Sequence, residues 1–157
     1  MGNKRVGLAR TQALIENLKR ELQMNGSEMK GISKQVITLS GAGATKTLEA
    51  TDSGAIVQLG GSNLSTVTLP AVEAGLNFRF VATTAAFAHK IDGGASVIQG
   101  GYHHNTNGGT VDRVAVVNKS SLALHGLNTM IGDTLDFWCD GTNWYVNGIV
   151  NDLITQA

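Results

Sequence analysis

The chain is poor in charge, cysteine and proline. One cysteine among 157 residues excludes an internal disulfide. Charged side chains make up 15% of the sequence, against about 25% in an average soluble domain. The 12 basic and 12 acidic residues cancel. That removes the cationic excess needed for general nucleic-acid binding, so no nucleic-acid partner is expected. A neutral, charge-poor monomer is poorly soluble, which leads us to expect a surface covered largely by partner subunits. No apolar run approaches the ~20 residues of a membrane span, and no membrane partner is expected. The opening MGNKRVGLAR lacks the apolar run of a signal peptide, so synthesis in a cytoplasm is expected.

Glycine, by contrast, is abundant at 20 residues. Many turns between short strands would use it. The length suits one domain plus an appendage. We expect an N-terminal helical arm over 1–26, a polar link over 27–35 and a β-domain over 36–157. The arm rests on LARTQALIENLKRELQM (Leu8–Met24), rich in good helix formers. Leu8, Ile15, Leu18 and Leu22 form one apolar stripe along it. Asn25-Gly26 supplies the stop. A helix this short is marginal alone in water, so the stripe must be buried. It packs on its own domain, on symmetry mates or on a partner protein.

From Val36 onward, short β-branched runs alternate with turn residues at intervals of about eight to twelve positions. The predicted strands are Val36–Leu39, Thr47–Ala50, Ala55–Leu59, Thr66–Leu69, Leu76–Thr83, Ala88–Asp92, Val97–Gly100, Val111–Asn118, Leu122–His125, Thr134–Cys139 and Trp144–Val150. Asp52-Ser53-Gly54, Asp92-Gly93-Gly94 and Asn107-Gly108-Gly109 read as turns. Ala71–Leu76, following Pro70, could form a helical turn. No repeat of solenoid period is visible. The fold class is therefore mainly β: a single antiparallel β-sandwich, jelly-roll-like, preceded by an N-terminal α-helix.

Leu135–Val150, LDFWCDGTNWYVNGIV, concentrates the aromatics and holds the only cysteine. Leu135, Phe137 and Cys139 alternate with Asp136, Trp138 and Asp140, and Asp140-Gly141 breaks the alternation. This reads as a hairpin with a tight turn. Trp138, Trp144 and Tyr145 could stack on a sugar or a base. The plainer reading puts Trp144 over the core and Tyr145 at its rim or at an interface.

Reactive constellations are weak. His103-His104 would point to opposite faces of a strand and could share a metal only in a loop, which the following Asn105–Gly109 run suggests. Cys139 has no local motif linking it to a base and reads as a buried, inert thiol. The aspartates mostly adjoin turns, where they accept backbone hydrogen bonds. No glycine run has the spacing of a phosphate cradle. No catalytic residue, metal site or cofactor is expected.

VTLPAVEAGLNFRFV (Val67–Val81) and GDTLDFWCDGTNWYVNGIV (Gly132–Val150) resemble paired segments of tailed-bacteriophage structural proteins. These are the capsid decoration (cement) proteins and related β-structured fibre or knob domains. RVGLARTQALIENLKREL is similar to the helical start of structural proteins from marine tailed phages. The resemblance covers about a third of the chain. It implies a non-catalytic virion protein, usually a homotrimer, made in the host cytoplasm and bound to the capsid exterior through the major capsid protein. In that setting Leu8, Ile15, Leu18 and Leu22 would dock on the shell or bundle the trimer. The alternative it implies is a receptor-binding tail-fibre or knob domain that recognises host surface glycans with Trp138, Trp144 and Tyr145.

Overall fold

The computed structural model describes residues 7, 10–17, 34–105 and 110–157. The chain divides into two units, Met1–Ser33 and Lys34–Ala157. In the first, residues 10–17 are α-helical and exposed, Leu14 and Ile15 included. Thr11 Oγ1 donates to the Gly7 carbonyl at 2.8 Å, one helical turn back. Leu8, Leu18 and Leu22, the remainder of the predicted helix, its Asn25-Gly26 stop and the link up to residue 33 lie outside the described residues. So does the Asn107-Gly108-Gly109 turn.

The second unit is mainly β. Its strands are β1 (Val36–Leu39), β2 (Thr45–Thr47), β3 (Ile56–Leu59), β4 (Thr66–Thr68), β5 (Asn77–Ala82), β6 (Lys90–Asp92), β7 (Ile98–Asn105), β8 (Val111–Lys119), β9 (Ser121–Ala123), β10 (Thr134–Cys139), β11 (Trp144–Val150) and β12 (Thr155–Gln156). They form two sheets. The larger has seven strands in the order β1-β3-β5-β10-β11-β7-β8; the smaller has five in the order β12-β9-β6-β4-β2.

The two-sheet, mainly β architecture is the expected one. The strand directions are not those of an antiparallel jelly roll, since half of the pairings are parallel. The cause is the chain path. From β1 to β6 each strand is followed by one on the other sheet, so the chain re-enters each sheet in the same direction. Val36, Ile56 and Arg79 are register partners 20 and 23 residues apart. Thr45, Thr66 and Lys90 are partners 21 and 24 residues apart. This is a coiled path of solenoid-like spacing, a period the sequence did not reveal. The β10–β11 hairpin then inserts between β5 and β7, and β10 becomes the central strand of the larger sheet.

One apolar core joins the sheets. Leu59, Phe80, Phe137, Trp144 and Tyr102 enter it from the larger sheet; Val67, Ile91 and Leu122 enter from the smaller. Phe80 meets Phe137 edge to face at 5.3 Å, and Phe78 lies 5.8 Å from Trp144. Edge-to-face rings place the positive rim of one on the negative face of the other.

Local deviations have local causes. The predicted helical turn Ala71–Leu76 is a tight turn instead: Pro70 precedes it and Gly75 sits at φ +93°, outside helical space. Thr47–Ala50 splits into β2 and a 3-10 turn, Ala50–Asp52. There Glu49 N–H donates to the Asp52 carboxylate at 3.0 Å, and helical closure displaces strand pairing.

Candidate binding surfaces on the larger sheet

The hairpin fixes which aromatics face outward. Cys139 pairs with Trp144 and Trp138 with Tyr145. Alternation sends the first pair inward and the second outward. Cys139 is 3% exposed and Trp144 0%; Trp138 is 50% exposed. Trp144 is therefore removed from any glycan contact set, because its ring lies wholly in the core, with Nε1 buried and unpartnered. Trp144 is a core residue, as the plainer reading has it, and Tyr145 lies half-buried on the outward face.

Trp138 and Tyr145 form a stacked pair, ring centroids 4.3 Å apart and 14° from parallel. The pair is braced from the turn. Asp140 Oδ1 accepts the N–H groups of Thr142 at 2.7 Å and Asn143 at 2.8 Å, and Gly141 takes φ +97°. The other carboxylate oxygen accepts the Tyr145 hydroxyl at 3.1 Å. Those hydrogen bonds, the backbone ones first, hold the Asp140 carboxyl below its ordinary range. Tyr145 is pushed up by donating to it.

On the other side of β10, Asn77 is the register partner of Trp138 and Arg79 of Asp136. Arg79 grips Asp136 with two parallel hydrogen bonds, Nε to Oδ1 at 2.6 Å and Nη2 to Oδ2 at 2.9 Å. This fork geometry raises the Arg79 pKa. Trp138, Asn77, Arg79, Asp136, Gly54 and Lys34 line a cleft of about 300 Å³.

A second surface is apolar. Met130, Ile131 and Ile149 border a groove of about 440 Å³ and are exposed. Leu127 and Leu153, also exposed, flank a contact in which Asn128 Nδ2 donates to Asp152. Asp133 anchors this end. Its carboxylate accepts the N–H groups of Met130 and Asn151, each at 3.0 Å, while burial raises its pKa. Sequence reasoning passed over these residues because no periodic pattern connects a loop at 127–131 to Ile149 and Leu153.

His103 and His104 are strand residues rather than loop residues. Within β7, His104 shares the buried face with Tyr102, and His103 takes the other. His104 Nδ1 is buried without a partner. His125 Nδ1 lies 3.3 Å from Asp152. Asp152 is held below its ordinary pKa, chiefly by Asn128 and the Leu153 N–H, with smaller contributions from His125 and His104. Cys139 accepts the Gly141 N–H on Sγ at 3.4 Å and is buried, which suits an inert thiol. Ile15, of the four predicted docking residues, is described and exposed.

Comparison with known protein families, with characterised proteins and with solved structures returns no match.

Proposed function

We propose that this chain is a structural protein of a tailed-phage particle, a homotrimer that coats the outside of the capsid and reinforces the shell of major capsid protein. The observation that supports the reading is the apolar end of the larger sheet. Met130, Ile131, Ile149, Leu127 and Leu153 are each at least half exposed. Such surface stabilises a contact by about 25 cal/mol per Å² when it is covered. The exposed Leu14 and Ile15 of the helix add a second surface that gains from a partner. A small subunit repeated by symmetry multiplies such contacts, and each one makes opening the shell more costly. No catalytic step is part of this reading.

The test is co-sedimentation of the chain with heads of the phage stripped of it. The wild type is retained, and the double variant Ile131→Glu/Ile149→Glu is lost, because two carboxylates at a buried contact carry a desolvation penalty. Retention of the folded double variant at the wild-type level contradicts the proposal. Light scattering of the free chain gives a mass near three chains if the trimer forms before docking.

A further inference from the structure

We infer that the cleft beside Trp138 is a binding site for one pyranose ring, separate from the apolar end of the sheet. One face of the Trp138 indole is covered by Tyr145 of β11. Because β10 lies between β11 and β5, the other face turns toward β5 and its register partner Asn77, into the cleft. An indole face carries negative π density and attracts the slightly positive C–H groups on the flat side of a sugar ring. The indole is already held by the Tyr145 stack and the Asp140 turn, so little side-chain freedom is lost on binding.

The rest of the lining matches the rim of such a ring. A guanidinium has five N–H donors, and Asp136 occupies two of those on Arg79. Each Asp136 oxygen still has acceptor capacity. The pair thus offers neighbouring donors and acceptors, the pattern that adjacent hydroxyls on a sugar complete. Asn77 Nδ2 donates to the Gly75 carbonyl at 3.3 Å, leaving its Oδ1 as a further acceptor. Gly54 adds a stretch of wall without a side chain. Arg79 and Asp136 neutralise each other, and Lys34 adds one positive charge to the lining, which a hydroxyl or an acidic substituent of the ring can meet. The volume of about 300 Å³ is at the small end for ligand sites, suited to one ring. A nucleobase could also stack on the indole, and the uridine arm of the experiment separates the two.

The experiment is saturation-transfer NMR on the full chain with methyl glycosides of glucose, galactose, mannose and N-acetylglucosamine, each at about 10 mM, a range that detects weak single-ring binding. At least one glycoside receives transfer on its ring C–H protons. Trp138→Ala weakens the signal about tenfold, as loss of a central aromatic contact does. Asn77→Phe, which fills the cleft and leaves Trp138 in place, weakens it equally. The blue-shifted emission of buried Trp144 reports that each variant is folded. An array of bacterial surface glycans separates sources: retention assigns the site to a surface glycan, and transfer to glycosides without retention assigns it to free sugar. No transfer to any glycoside, transfer unchanged in both folded variants, or a stronger signal from uridine overturns the proposal.

Discussion

The Tyr102 hydroxyl accepts the Ile154 N–H at 2.8 Å and faces the Ile154 carbonyl at 3.5 Å, at a site where Tyr102 is 0% exposed. One phenol on β7 thus satisfies the backbone of the segment between β11 and β12. Tyr102→Phe keeps the ring but leaves a buried N–H without a partner. We expect it to cost about 1–3 kcal/mol. Urea unfolding checks this: the midpoint falls and the slope is unchanged.

Trp138 and Trp144 should separate cleanly in fluorescence. Trp144→Phe leaves only the half-exposed indole, whose emission is red-shifted and quenched by iodide. Trp138→Phe leaves only the buried one, blue-shifted and protected. Trp144→Ala removes a fully buried ring and should cost about 3–5 kcal/mol.

Gly100 sits at φ +119° in the bulge of β7, and a Cβ there would strike the backbone of Val146 in β11. Gly75, at φ +93°, has open space around its missing side chain. Gly75→Ala therefore carries backbone strain alone, about 1 kcal/mol. Gly100→Ala adds a clash that only moving β7 away from β11 relieves, and should cost about 2 kcal/mol or more. Equal midpoints for the two variants would refute this account of the bulge.

Acid sensitivity should trace in part to His89. It is 0% exposed, its Nδ1 accepts the Ser65 N–H at 3.3 Å, and its Nε2 lies 3.3 Å from Thr84 Oγ1. Burial lowers its pKa from the ordinary 6.5. The unfolded chain then binds the proton more readily than the folded one. Stability is complete above the unfolded pKa and declines as pH falls below it. Thermal melts from about pH 7 to about pH 5 should show a falling Tm in the wild type and a flatter profile in His89→Gln.

The hairpin was the most legible part of the sequence. Thr134–Cys139 and Trp144–Val150 fall on β10 and β11 residue for residue, because strict alternation and an Asp-Gly turn fix both register and ends. The same register separates Trp138 and Tyr145 from Trp144, a distinction hidden when the three are grouped by aromatic character alone. The parallel coils were not legible. Val36–Leu39, Ile56–Leu59 and Asn77–Ala82 share an inward-outward rhythm, but their side chains do not repeat. β7 extends past Gly100-Gly101 to Asn105, since those glycines admit neighbouring backbone rather than ending the strand. β12 has only two residues and owes its place to pairing with β9. Asn77 and Arg79 join Trp138 and Asp136 through β5–β10 pairing, across about sixty residues, which no local pattern encodes.

Cryo-EM reconstruction of the intact particle tests the proposed role most directly. The account predicts three copies of the Lys34–Ala157 fold at capsid symmetry axes, with Met130, Ile131 and Ile149 covered by the shell or by a neighbouring copy. Density for this chain on the tail alone, with none on the capsid, would contradict it.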